Sequence, residues 1–219
     1  MDSKHLEPIL QEFIQTYELL GKTARHVTIF GSARTKNNDK VYQDVEMMAK
    51  KLAENGHNIA TGGGYGSMIA ANKGAQEAGG LSIGYSIQLP FEKSGNEFLD
   101  IHSNHGYFAS RKWFLITRAS AIIGTPGGFG TVEEVTEAIC LKQCKKITRP
   151  MPIVLVGKRY WQGLLDWMEI MDEDGYISNE DHDLFLITDD INEAISYIEN
   201  GLDDDDIVNL NIEKTKRQV

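Results

Sequence analysis

Short β-branched runs recur along this chain between longer stretches of helical spacing. Such alternation is the signature of a parallel sheet whose strands are joined by crossover helices. His26–Phe30 reads as the first strand, followed by a helix over Val41–Asn55 that Gly56 stops. His57–Ala60 begins a second strand, Gly66–Ala78 a second helix and Leu81–Ile87 a third strand. Leu89–Asp100, carrying Pro90 and Gly95, reads as a loop leading into a short strand at Ile101–Ser103. Ser110–Ser120 is helical, and Ala121–Gly124 is a strand running into Pro126-Gly127-Gly128. A helix over Thr131–Cys144, a buried strand at Pro152–Val156 and a helix at Trp161–Asp172 follow. Leu184–Thr188 is the last strand and Asn192–Glu199 the closing helix. The class is therefore α/β.

At 219 residues the chain is long enough for one large domain with a proper core. Residues 1–25 read as a helical extension, with Ile9, Phe13, Ile14, Tyr17 and Leu20 at helical spacing. That face is expected to pack on the domain or on a partner subunit. Residues 201–219 read as an acidic, then mixed-charge tail, with Asp203–Asp206 a solvated run. Both ends look like appendages to one nucleotide-binding domain spanning 1–219.

The formal net charge of -10 argues against a nucleic-acid partner, which a basic stripe would mark. Apolar runs such as Pro152–Val156 are too short to span a bilayer, so no membrane partner is expected. The start, Met1–Leu10, is acidic and polar rather than basic and then apolar, which predicts a cytoplasmic protein. Cys140 and Cys144 are four apart with no accompanying His pair, so neither zinc nor redox chemistry is expected.

Open parallel sheets bind ligands beyond the carboxyl ends of their strands, and two glycine clusters fall at that edge. The first is Thr61-Gly62-Gly63-Gly64-Tyr65-Gly66-Ser67-Met68. Glycines let a phosphate approach main-chain N–H groups, and the following helix adds its positive dipole end. It is neither a Walker loop nor a strict GxGxxG, and a tight packing turn explains it about as well. The second is Thr125-Pro126-Gly127-Gly128-Phe129-Gly130-Thr131-Val132-Glu133-Glu134. It again follows a buried strand and opens a helix. Glu133 and Glu134 are placed in the first turn, where the dipole favours carboxylates even without any function. Arg111-Lys112, at the start of a helix, offers a bidentate anion clamp or an ordinary surface pair.

The segments Gly62–Ala75, Ser110-Arg111-Lys112 and Pro126–Glu134 together resemble the LOG family, phosphoribohydrolases of cytokinin riboside monophosphates often labelled "lysine decarboxylase". Phe30–Arg34, Leu89–Glu92 and Ile153–Trp167 resemble its longer bacterial branch, and the likeness runs from about His26 to Ile198. The resemblance implies a Rossmann-like, doubly wound parallel sheet with helices on both faces. It implies a homodimer or a multiple of dimers, and hydrolysis of a purine nucleoside 5′-monophosphate to free base and ribose 5-phosphate. The family's catalytic Arg falls on Arg111 and its motif Glu on Glu134. Phosphate and substrate contacts are expected from Gly31, Ser32, Gly63, Gly64, Lys112, Gly127, Gly128, Gly130 and Thr131. No cofactor and no metal are called for. Tyr65, Ser67 and Ile69 depart from the family pattern, where Pro, an aliphatic residue and Glu are common, which bears on substrate identity.

On the chemistry, Glu134 is the candidate to stabilise oxocarbenium character and to orient or deprotonate water. Arg111 is the candidate to hold the substrate or help the leaving base. No lysine context marks a pyridoxal phosphate Schiff base. The rival is a non-catalytic nucleotide- or cofactor-binding carrier of the same fold, as molybdenum-cofactor carriers are, since fold alone does not give function. A dehydrogenase is more distant, because Gly31-Ser32-Ala33-Arg34 lacks the dinucleotide fingerprint.

Overall fold

The computed structural model describes residues 6–89 and 95–206. Pro90 to Glu92 of the motif quoted above therefore lie outside the described residues, as do Met1 to His5 and the tail beyond Asp206. The elements, in chain order, begin with α1 (Glu7–Leu20), β1 (His26–Phe30), α2 (Lys40–Glu54), β2 (Asn58–Thr61) and α3 (Ser67–Glu77). They continue with β3 (Ser82–Ile87), β4 (Ile101–His105), α4 (Phe108–Thr117), β5 (Ala119–Gly124) and α5 (Phe129–Gln143). The last are β6 (Ile153–Val156), α6 (Lys158–Glu173), β7 (Leu186–Thr188) and α7 (Ile191–Asn200).

The seven strands form one sheet in the order β4-β3-β2-β1-β5-β6-β7, and every pairing is parallel. Each central strand is buried along its whole length, as expected where helices cover both faces. Side chains alternate across the pleat, so Ala121 and Ile123 of β5 join one core and Ile122 the other. The first core is closed by α2, α3 and α7, with Met48, Leu52, Ala71 and Ile198 inside it. The second is closed by α4, α5 and α6, through Phe114, Leu115, Val135 and Trp161. The sheet is thus doubly wound, and the winding reverses between β1 and β5. Such a switch point opens a crevice beyond the carboxyl ends of the two strands.

Several boundaries differ from those read in the sequence. The helix expected over Ser110–Ser120 is α4, two residues earlier at its start and ending at Thr117. Ala119 belongs to β5, where it pairs with His26 of β1. The last strand starts at Leu186 rather than Leu184, because Asn179–Leu184 forms a 3₁₀ turn opened by a Ser178–Asp181 capping box. The helix expected from Trp161 starts at Lys158, directly after Gly157. Of its two tryptophans, Trp161 is in the core and Trp167 is exposed.

The apolar face of the N-terminal helix packs on the domain, the first of the two places expected for it. Helix α1 packs on α4, with Phe13 and Tyr17 edge-on to Trp113 and Phe114. Of the run Asp203–Asp206, expected to be solvated, Asp204 and Asp205 are exposed but Asp203 and Asp206 are held. Arg25, just before β1, holds Asp203 Oδ2 at 3.0 Å and Asp206 Oδ1 at 3.1 Å. Asp206 is buried, and burial pushes its carboxyl up to about 6 against the pull of Arg25. A guanidinium among acidic residues has turned part of a charge run into a clasp between the two ends of the described chain.

Candidate active site

The cleft at the switch point has a volume of about 1020 Å³. Its walls are the turn after β1 (Gly31 to Thr35), the turn after β2 (Gly62, Gly64, Met68) and the turn after β5 (Pro126 to Thr131). Ser86 and Ile87 at the end of β3, Phe108 and Arg111 of α4, Glu134 of α5 and Tyr160 of α6 also line it.

Three glycines explain how backbones come this close. Gly62 lies against the Arg111 side chain, where an added Cβ would stand 2.3 Å from Nη2. Gly66, at a φ of +63°, lets the first turn press on Ser32, whose carbonyl oxygen an added Cβ would meet at 2.2 Å. In the second turn, an added Cβ on Gly127 would stand 2.1 Å from the Thr131 hydroxyl.

The two turns are finished differently. In the first, the Gly63 N–H donates to the Thr61 hydroxyl at 2.9 Å. The Asn96 amide donates to the carbonyls of Gly63 at 3.2 Å and Gly64 at 3.0 Å. No side chain caps the helix after either turn, but the Ser67 N–H that opens α3 donates to the Ser32 carbonyl at 2.9 Å, whereas at the start of α5 Phe129 is 96% exposed. The first N–H groups of a helix have no intrahelical partner and carry its positive dipole end, so this turn suits a phosphate. Tyr160 holds it from behind, its hydroxyl donating to the Gly127 carbonyl at 2.7 Å.

Arg111 reaches the cleft from α4. Its Nε donates to the Tyr85 carbonyl at 2.7 Å, and its Nη1 donates to Glu134 Oε1 at 2.9 Å. Both partners of this ion pair are buried. Burial pushes the Glu134 carboxyl up to about 7, the Glu133 charge adds to that, and Arg111 and Lys112 pull the other way. Desolvation outweighs even a direct guanidinium contact here, which leaves a carboxyl titrating near neutrality on the wall of a cleft.

The structure separates residues that stand side by side in the sequence. Successive helical residues point about 100° apart. Lys112 accordingly turns away from Arg111, pairing with Glu133 and with Glu137 Oε2 at 2.8 Å, and it does not line the cleft. The anion clamp expected of Arg111 and Lys112 is therefore not formed. Glu133 and Glu134 are the fifth and sixth residues of α5, beyond its first turn, so the dipole does not account for them. Among the other expected binding residues, Gly31, Ser32, Gly64, Gly127, Gly128, Gly130 and Thr131 line the cleft. Gly63 does not; it packs against β3, where an added Cβ would stand 2.7 Å from Ser86 Oγ.

Sequence reading singled out neither Ser86, Phe108 nor Tyr160 as cleft residues. Their only signal was position, one strand end and two helix starts at the ligand edge. Cys140 and Cys144 are exposed and away from the cleft. Among the described residues, no group of three or more His, Cys, Asp or Glu is arranged to hold a metal ion. No helix among them is long and apolar enough to cross a membrane.

Residues 68–198 match the family model described as "Possible lysine decarboxylase". A probable cytokinin riboside 5′-monophosphate phosphoribohydrolase of Oryza sativa subsp. japonica is 27% identical, over 80% of this chain and 76% of its own length. The cytokinin riboside 5′-monophosphate phosphoribohydrolase of Rhodococcoides fascians is 26% identical, over 80% of this chain and 90% of its own. Among solved structures, the molybdenum cofactor carrier protein of Chlamydomonas reinhardtii superposes with a TM-score of 0.59 at 24% identity, covering 81% of this chain and 97% of that one. That likeness is one of fold. With the family model spanning more than half of the sequence and carrying Arg111 and the whole turn after β5, this chain belongs to the LOG family of phosphoribohydrolases.

Proposed function

We propose that this chain hydrolyses the N-glycosidic bond of a purine nucleoside 5′-monophosphate, AMP or a cytokinin relative of it, releasing free base and ribose 5-phosphate. The observation that carries the reading is the buried Glu134 carboxyl, paired with Arg111 at 2.9 Å and lining the same cleft as the uncapped start of α5. The 5′-phosphate sits on the N–H groups of Gly127 to Thr131, which restricts the sugar to one position. The C1′–N bond then breaks, its electron pair leaves with the base, and positive charge builds on the ribose ring. Glu134, as a carboxylate, stabilises that charge and takes a proton from the water whose oxygen bonds to C1′. The departing base takes its proton from solvent. Arg111 stays protonated throughout and keeps the Glu134 carboxylate in place.

Assembly as a homodimer, or a multiple of one, belongs to the same reading. Light scattering that finds only particles of 24.5 kDa at micromolar concentration removes it.

The test of the activity is chromatography of reactions with AMP and with adenosine. Adenine is expected from AMP and hardly any from adenosine. Equal release from both removes the phosphate cradle. Tight binding of AMP with no adenine released turns the reading over to a carrier of the same fold.

A further inference from the structure

Helix α4 carries Arg111 four residues in, yet it lacks the usual means of fixing its start. Its N-cap, Tyr107, makes no side-chain capping bond, and no acidic residue lies in its first turn. One carboxylate from α1 supplies the missing negative charge and ties the turn together, without capping the helix's own N–H groups. Glu12 of α1 accepts from the Gly106 N–H through Oε1 at 2.8 Å and from the Ser110 hydroxyl through Oε2 at 2.5 Å. It thus bridges the turn that launches α4, one residue short of Arg111, and puts a negative charge at the positive end of that helix.

The contact is built in from several sides. His105 Nδ1 lies 3.0 Å from the same Ser110 hydroxyl, and its Nε2 lies 3.1 Å from Ser103 Oγ. Thr16, one turn along α1 from Glu12, completes the chain at 2.7 Å from Ser103. His105 is fully buried, and burial holds its ring below the usual histidine range, against the pull of Glu12. Around it, the Phe13 and Tyr17 rings fasten α1 to Trp113 and Phe114. All of α1 lies outside residues 68–198 that match the family model.

We infer that Glu12 is a positioning residue for the active site, acting through the start of α4 to seat Arg111 against Glu134. This rests on the site assigned above, but its test does not depend on turnover. The carboxyl carbon of Glu134 is titrated by NMR in the whole chain and in Glu12→Ala. The charges facing it are Arg111 and Lys112 from α4 and Glu133 from its own helix, and Arg111 is the nearest. When Arg111 withdraws, Glu134 loses that cation, so its midpoint is expected at higher pH in the variant. If AMP is cleaved, kcat is expected to fall by about ten- to a hundredfold, with the KM for AMP changed far less. Glu12→Gln, which keeps the shape but leaves an amide nitrogen that cannot accept, gives the same shifts in smaller degree and serves if Ala does not fold. Phe13→Leu loosens the packing of α1 while keeping the carboxylate, and its Glu134 midpoint is expected unmoved. An unchanged midpoint in both Glu12 variants overturns the inference, as does an equal shift in Phe13→Leu. A wild-type protein inert on AMP defeats the proposed activity alone, because the titration still reads the position of Arg111.

Discussion

The two glycine-rich turns look alike in sequence and are put to different uses. The turn after β2 is tied off from within, its carbonyls held by Asn96 and one N–H by Thr61. Three of its glycines make room for other parts of the protein, Gly62 for Arg111, Gly63 for β3 and Gly66 for the backbone at Ser32, while Gly62 and Gly64 also face the cleft. The turn after β5 is left open. Gly128 and Gly130 have nothing within 4 Å of an added Cβ, whereas the first N–H of the helix after the β2 turn, that of Ser67, is taken by the Ser32 carbonyl at 2.9 Å. A glycine therefore marks close approach, and only its neighbours say whether the approaching atoms belong to the protein or to a ligand.

The strongest way to test that division is to remove the charge beside the open turn. Glu134→Gln is expected to lower kcat for AMP by roughly a hundredfold or more while leaving AMP binding largely intact, since charge matters most in the transition state. Glu133→Gln should cost little, because Glu133 turns toward Lys112 and away from the cleft. Steady-state rates and a binding isotherm for each variant decide it. Equal damage from both would erase the distinction between the two carboxylates.

Alanine substitutions set the turns against each other directly. Gly66→Ala places a Cβ 2.2 Å from the Ser32 carbonyl oxygen at a φ of +63°. It is expected to destabilise the fold by about 1–3 kcal/mol, read from urea unfolding. Gly128→Ala meets nothing and should change stability by no more than about 0.5 kcal/mol, yet weaken AMP binding by obstructing the backbone N–H groups. Comparable stability losses from the two would break the comparison.

A smaller effect sharpens it through pH. Glu134 is expected to act as a carboxylate, and its carboxyl titrates near 7 instead of the ordinary 4.5. The kcat profile should therefore have an acid limb near neutrality, falling about tenfold per pH unit below it. The stability consequence has the opposite sign. A carboxyl raised in the folded state binds its proton more tightly there than in the unfolded chain. Its contribution to stability is therefore lost as pH rises from about 4.5 through 7. Glu134→Gln should gain on the wild type in urea midpoint across that interval, and a gap that stays constant would count against burial as the cause.

What the sequence made legible follows from periodicity and punctuation. The buried strands and the glycines after them put the ligand edge in the right place, because a strand buried on both faces reads as a continuous apolar run. Ala119-Ser120 reads as helix, since alanine is the strongest helix former, yet Ala119 is strand through its pairing with His26. Adjacency also misled at Arg111-Lys112. Neighbours on a helix diverge, so the real pairings run across helices, Arg111 with Glu134 and Lys112 with Glu133. The roles of Asn96 and Glu12 had no local signal at all. Each acts on a turn far away in sequence, and only tertiary structure brings them there.

The order of strands bears on how the chain is made. β1 sits at the seam, paired with β2 on one side and β5 on the other, and all five of its residues are buried. During synthesis β2, β3 and β4 emerge before β5 does. Until residues 119–124 leave the ribosome, the far side of β1 is an apolar edge with unpaired backbone groups, a template for joining the wrong chain. A fragment that stops after β4 is for that reason expected to aggregate, which light scattering of the truncated chain would show.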